Sequence, residues 1–188
     1  MMHVIPPHIL LGAYAQGIFP MAHEGEIRWF EPTMRGLIPL DDRFHISNSL
    51  KRTIAKKIYQ IKYNTAFTEV MLACAEREST WIDQNIIESY TSLYQLGHAM
   101  SFESWDHDGL QGGLYGVSLG RVFFGESMFS RQTDASKVAL VGLVDFLRNH
   151  NYVLLDTQWL TPHLAQFGGY EVPRKTYLRL LKDALMDA

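Results

Sequence analysis

The chain has 188 residues, 47% of them hydrophobic and 20% charged, with a formal net charge of −3; that is long enough to bury a core and too apolar to stay disordered. Its longest uninterrupted apolar run, Val138–Val144, falls far short of the ~18 residues that mark a membrane span, and Met1–Gln16 carries no charged-then-apolar leader. The single cysteine, Cys74, excludes a disulfide framework and a multi-cysteine zinc site, so the expected setting is a reducing cytoplasm.

Residues 1–41 are rich in Pro, Gly and aromatics without a long periodic segment, and read as a small irregular N-terminal lobe with short strands. A helix is predicted after Ser47, a good N-cap, with Leu50, Ile54 and Ile58 as its apolar stripe. This stretch is unusual in charge. From Arg43 to Lys62 there are six basic residues and no acid, leaving 11 basic against 20 acidic side chains elsewhere. A local +6 on an acidic body is either a solvated helix face or a phosphate-binding patch. A second helix is predicted over Ala66–Arg77, with Phe67, Val70, Met71 and Cys74 on one face. The cysteine at that spacing reads as core. A third helix runs from about Asp83 to Leu96 and stops at Gly97.

The period then changes to two. Ala99–Trp105 and Leu110–Val117 read as paired strands about an Asp106–Gly109 turn, with Arg121–Glu126 a third strand. Asp134 is predicted to cap a long helix reaching Asn149, and Tyr152–Asp156 is a buried apolar strand. Thr161-Pro162 opens another helix that Gly168 ends, and a last helix follows Pro173. Helices, then a meander, then helix–strand–helix make an α+β fold with a mixed, mainly antiparallel sheet.

Three constellations could carry chemistry. Glu126, at a strand end before Ser127, is a polar site wall or a cap; Gly125–Ser130 is not a nucleophile elbow, which needs G-x-S-x-G. Asp156 and Gln158 lie at the end of the buried strand, where strand periodicity puts them on one side. An acid and an amide in one pocket could orient an amine and accept its proton, or Asp156 could simply cap the next turn. The glycines from Gly109 to Gly125 either admit a ligand to the backbone or form turns and bulges, and they match no nucleotide phosphate loop. Eight scattered histidines show neither H-x-x-x-H nor H-E-x-x-H spacing, so no metal is expected. Trp29, Trp81 and Trp105 could stack on a base or belong to the core.

Taken together, Gly112–Val117, Phe124–Ser130 (the FGESMFS run), Ala135-Ser136-Lys137, Asp156-Thr157-Gln158 and His163-Leu164 resemble the leucyl/phenylalanyl-tRNA–protein transferase family. Gly17–Met21, Trp29–Pro32, Arg35 and Thr80–Ile82 fit the same family, so the likeness spans nearly the whole chain. It implies an N-terminal lobe (1–41) joined to an acyltransferase domain (42–188) similar to the Gcn5-related N-acetyltransferases (GNAT-like), acting as a monomer without metal or organic cofactor. It implies transfer of Leu or Phe, and sometimes Met, from Leu-tRNA or Phe-tRNA to the α-amine of proteins beginning with Arg or Lys. Those proteins are thereby marked for degradation by the N-degron route. By the same resemblance Asp156, Gln158 and Glu126 are catalytic. Leu114, Phe123, Met128, Leu140, Leu143 and Leu155 hold the donor side chain, and Trp29 and Trp81 contact the terminal adenosine. Lys51, Arg52, Lys56 and Lys57 hold the acceptor stem of the tRNA. The sequence departs from the family pattern at Thr161, Met100, Glu31, Thr33 and Leu114. An acyl-CoA acetyltransferase fits less well, because Ser130–Asp134 has no glycine for a pyrophosphate loop. A non-catalytic RNA-binding module would leave Glu126, Asp156 and Gln158 unexplained.

Overall fold

The computed structural model describes residues 4–186, so the outermost residues of the expected 1–41 lobe and 42–188 domain lie outside the described residues. The chain opens with helix α1 (Pro7–Tyr14), which begins with Pro at its first position and buries Leu10 and Tyr14, one turn apart. So short a stripe gives little periodic signal, and the sequence reading has no helix here. Strands β1 (Phe19–His23) and β2 (Glu26–Phe30) follow as a separate two-stranded hairpin. Its two-residue turn, Glu24-Gly25, has both φ angles positive, as the twist of a tight hairpin requires.

Strand β3 (Met34–Ile38) comes from the stretch grouped with the N-terminal lobe, yet it sits inside the large sheet. Helix α2 (Asn48–Ala55) starts as predicted, with Ser47 Oγ accepting the Leu50 N–H. It ends early. Lys57 takes a positive φ, the chain turns, and β4 (Gln60–Tyr63) runs along the sheet edge. The basic stretch is therefore helix, turn and strand rather than one helix, and Ile58 is half exposed rather than the end of a stripe. Helices α3 (Phe67–Ala75) and α4 (Gln84–Gln95) follow, the latter capped by Asp83.

The meander is β5 (Ala99–Asp106), β6 (Gly109–Leu119) and β7 (Val122–Ser130). Helix α5 (Ala135–Asn149) crosses to β8 (Leu154–Gln158), then α6 (Pro162–Ala165), β9 (Tyr170–Pro173) and α7 (Arg174–Met186) complete the described chain. Asp134 precedes α5 in a left-handed conformation and does not cap it; its carboxylate takes Thr53 and Lys137 instead. The short edge strand β9 is absent from the sequence reading, because four residues between Gly169 and the last helix carry no alternation worth reading.

The seven strands run β4-β5-β6-β7-β8-β3-β9, and the β7–β8 pair is parallel while the rest are antiparallel. This is the mixed, mainly antiparallel α+β sheet the sequence predicts. Alternation divides the core between its faces. Tyr115, Phe124 and Leu154 join a cluster with α1, α3, α4 and α7, while Leu114, Phe123 and Leu155 join one with α5 and α2. No helix among the described residues is long and apolar enough to cross a membrane.

Candidate active site

Strands β7 and β8 pair only from Val122↔Leu154 to Phe124↔Asp156. Past that point β7 stays with β6 and β8 leaves it, and a cleft of about 450 Å³ opens between them. Parallel neighbours that part at their C-terminal ends make a natural binding crevice. A β-bulge sharpens the site: Gly125 faces Gly116 and Ser127 faces Tyr115, so Glu126 is the extra residue of β7. Bulges re-aim a side chain in this way.

The apolar part of the cleft is lined by Leu114, Met128, Leu140, Leu143 and Leu155, together with Ile38. Five of the six residues expected to hold the donor side chain therefore converge. The sixth, Phe123, is fully buried behind them, edge-on to Phe102 at 6.2 Å. Glu126, Gln158 and Trp81 line the same cleft. Trp29 is exposed and lines a separate shallow groove with α1, beside Ile9, Ala13 and Ile18. Lys51, Arg52, Lys56 and Lys57 are all exposed on and after α2, outside the cleft. Tyr59 donates to the Thr133 carbonyl at 2.8 Å and ties this segment to the start of α5.

Asp156 is fully buried. Arg35, itself 1% exposed, grips it with Nε at 2.9 and 3.0 Å and with an η nitrogen at 2.8 Å. Tyr177 Oη donates to it at 2.6 Å and the Gln158 N–H at 2.8 Å. The carboxylate is thus saturated by its own protein. Burial alone would pull the Arg35 pKa down, but Asp156 overrides it and holds it above the usual value. Burial and the same carboxylate push the Tyr177 hydroxyl up. The guanidinium also lies between the rings of Phe19 (4.9 Å) and Tyr177 (4.5 Å) and donates to the Gly17 carbonyl.

The bond from Asp156 to the Gln158 N–H holds Gln158 at φ 62°, a left-handed conformation rare for this residue. Gly36 makes the turn possible, since a Cβ there would meet the Trp159 and Leu160 backbone at 2.6 Å. The Gln158 side chain then reaches across the cleft, and its Nε2 donates to Glu126 Oε1 at 2.8 Å. Strand alternation stops at Asp156, so the two side chains expected side by side act in series instead.

Glu126 Oε1 also accepts from Tyr14 at 2.6 Å, and Tyr90 lies 3.4 Å from Oε2 and hydrogen-bonds Tyr14. Burial pushes the carboxyl up to about 8, Asp156 adds to the rise, and the Tyr14 bond opposes it. With Oε1 taken by two donors, the proton belongs on Oε2. Burial and Glu126 together hold Tyr14, Tyr90 and Tyr115 well above the usual phenol value. The Tyr115 hydroxyl and His163 Nε2, both on residues lining the cleft, are buried without a hydrogen-bond partner among the described residues. Burial, then Lys137, lowers the His163 pKa. Burial lifts the Cys74 thiol to about 12, so it is inert. Glu126 and His163 are the only cleft-lining residues of metal-ligating type among the described residues.

Sequence reasoning assigned no role to Tyr14, Arg35, Tyr90, Tyr177 or Trp159. Arg35 left a signal: a lone arginine inside the apolar strand Met34–Ile38 needs a buried partner.

Comparison with known proteins identifies the family. The family described as leucyl/phenylalanyl-tRNA protein transferase matches residues 37–182, and its N-terminal domain matches residues 5–33. A leucyl/phenylalanyl-tRNA–protein transferase of Akkermansia muciniphila is 58% identical over 186 residues, covering 96% of both chains. That of Herpetosiphon aurantiacus is 54% identical over 96% of this chain and 95% of its own. That of Cereibacter sphaeroides is 53% identical over 96% of this chain and 86% of its own. Among solved structures, FemX matches with a TM-score of 0.56 at 11% identity, over 93% of this chain and 70% of that one, a likeness of fold alone and of the GNAT-like kind. With family matches over nearly its whole length and relatives above half identity, the chain belongs to the leucyl/phenylalanyl-tRNA protein transferase family.

Proposed function

We propose that this chain transfers Leu or Phe, and sometimes Met, from aminoacyl-tRNA to the α-amine of proteins beginning with Arg or Lys, marking them for N-degron degradation. The observation that carries this reading is one cleft joining an aliphatic chamber to the Gln158–Glu126 pair. The donor side chain occupies the chamber formed by Leu114, Met128, Leu140, Leu143 and Leu155. One methylene is worth only about 1–3 kcal/mol in such a pocket, which is why Met leaks through.

The ester is already activated, and an acceptor α-amine with a pKa near ~7.7–8.0 is partly neutral at pH 7. Catalysis is then mainly positioning. The amine nitrogen attacks the ester carbonyl, the bond from that carbon to the ribose oxygen breaks, and the amine's proton ends on the departing oxygen. Gln158 spends its Nε2 on Glu126, so its Oε1 is free to accept the amine N–H. Asp156, saturated by Arg35, Tyr177 and the Gln158 backbone, orients this group rather than taking the proton. Tyr115 and His163, with buried polar atoms unspent, offer donors to the substrate. Trp81 is the adenosine platform in the cleft. Trp29, exposed in the groove beside α1, would contact the adenosine from outside the cleft.

The exposed Lys51, Arg52, Lys56 and Lys57 hold the tRNA through phosphates without reading sequence. The 1–41 lobe lends Phe19 and Met21 to the cleft, and β3 is the part of it built into the sheet of the 42–188 domain. Transfer of labelled Leu or Phe from tRNA to a peptide beginning with Arg, but not to one beginning with Ala, is the expected result. Equal transfer to both refutes the acceptor rule, and none with folded protein refutes the reaction.

A further inference from the structure

Trp159 is 41% exposed and lines the cleft directly after Gln158. It is not a loose surface residue. Its N–H donates to the Thr157 carbonyl at 2.7 Å, and its backbone passes over Gly36 within a distance that admits no Cβ. Its ring is braced edge-on by Phe19 at 5.1 Å and by Phe30 at 6.2 Å. An exposed aromatic held this firmly is pre-organised for a ligand.

We propose that Trp159 is a specificity-determining residue that receives the cationic side chain of the acceptor's first residue against its ring. The inference rests on the transfer reaction proposed above. Once the acceptor amine is beside Gln158, the side chain of that same residue lies within reach of the neighbouring position, 159. Glu126 is the one acid lining the cleft among the described residues, and Tyr14, Tyr90 and Gln158 already occupy it. A cation arriving here therefore meets an aromatic face rather than a free carboxylate. Indole is the strongest aromatic partner for a cation, and a guanidinium stacks on it flat. The fold already uses this pairing next door, where Phe19 faces the Arg35 guanidinium.

A nucleobase is the competing occupant of an exposed tryptophan. Two observations favour the acceptor. Trp81 also lines the cleft, so a base has a second ring to stack on, and Lys62 lies on the edge strand β4, four places across the sheet from β8. Beyond Arg43, which packs on Tyr170 of β9, the basic stretch thus runs to the edge of the sheet away from Trp159.

The test compares peptides beginning with Arg, Lys or citrulline, the last being arginine's neutral near-isostere. Transfer from Phe-tRNA is measured with wild type, Trp159→Leu and Trp159→Tyr, each checked by circular dichroism. Wild type should prefer Arg over citrulline. In Trp159→Leu that ratio should fall about tenfold through KM for the Arg peptide, with KM for Phe-tRNA unchanged, while Trp159→Tyr should keep most of the preference. An unchanged Arg-to-citrulline ratio in Trp159→Leu overturns the proposal, and a raised KM for Phe-tRNA overturns it in favour of base stacking. Wild type that transfers to no peptide refutes the underlying reaction instead, and the proposal falls with it.

Discussion

Asp156→Asn separates a positioning role from a proton-accepting one. The substitution keeps the side-chain volume and an oxygen that can accept the Gln158 N–H, but removes the charge facing Arg35. Both partners of this ion pair are at most 1% exposed, so solvent does not screen the loss. Leaving one member of a buried pair unpaired costs about 3–5 kcal/mol. For a chain of this length each kcal/mol moves Tm by roughly 2–4 °C, so Tm should fall by about 6–20 °C. Arg35→Met should cost a comparable amount for the opposite reason. The double variant should lose clearly less than the sum, because neither charge is then stranded. Transfer is measured well below the variant's Tm, with saturating Phe-tRNA and an Arg peptide. A positioning role predicts a kcat within about tenfold of wild type, whereas loss of a general base costs roughly 10²–10⁴. A kcat drop beyond a hundredfold in a variant with unchanged Tm would refute the reasoning.

Two other expectations concern the partners of this network. Glu126 is held protonated up to about 8, against an ordinary value of 4.5. The native state therefore binds an extra proton between those values. The resulting stabilisation is complete below about 4.5 and is lost as pH rises through 8, on the order of 4–5 kcal/mol. Glu126→Gln should remove that slope; urea midpoints from pH 5 to 9 that run parallel for the two proteins would contradict it. Gly36→Ala would put a Cβ 2.6 Å from the Trp159 and Leu160 backbone, so the turn bearing Gln158 must move. The expected cost is about 1–3 kcal/mol in stability, with kcat reduced more than tenfold; wild-type kcat would show that the turn tolerates displacement.

Much of the fold is legible because its signals are local. Ser47 caps a helix where predicted, the helix expected from about Asp83 begins there, and the β5–β6 hairpin turns at Asp106–Gly109. Alternating residues mark β5 to β7, and five of the six expected pocket residues meet because strand and helix periods aim them at one chamber. Reading fails where tertiary contacts override a short local pattern. The basic stretch has helix-like spacing through Ile58, yet Lys57 turns the chain so that β4 can pair with β5. Strand β3 reads as lobe because nothing within five residues shows that β8 and β9 flank it.

The interior of the site is illegible for a related reason, and this bears on how its chemistry works. Arg35 and Asp156 are 121 residues apart, Tyr14 and Glu126 are 112 apart, and no spacing rule links such pairs. The sequence presents Asp156, Gln158 and Glu126 as three reactive groups. Folding changes their standing. Asp156 is consumed by Arg35 and Tyr177, Glu126 is shared among Tyr14, Tyr90 and Gln158, and the Gln158 amide is left with one free oxygen toward the cleft. A neutral amide is a poor base, but it can align an amine that is already partly deprotonated in water. An activated ester supplies the driving force that a strong base would otherwise provide. The buried groups around Gln158 therefore act through geometry: Arg35 of β3 and Tyr177 of α7 fix Asp156, which holds the Gln158 backbone, and Glu126 of β7 holds its side chain.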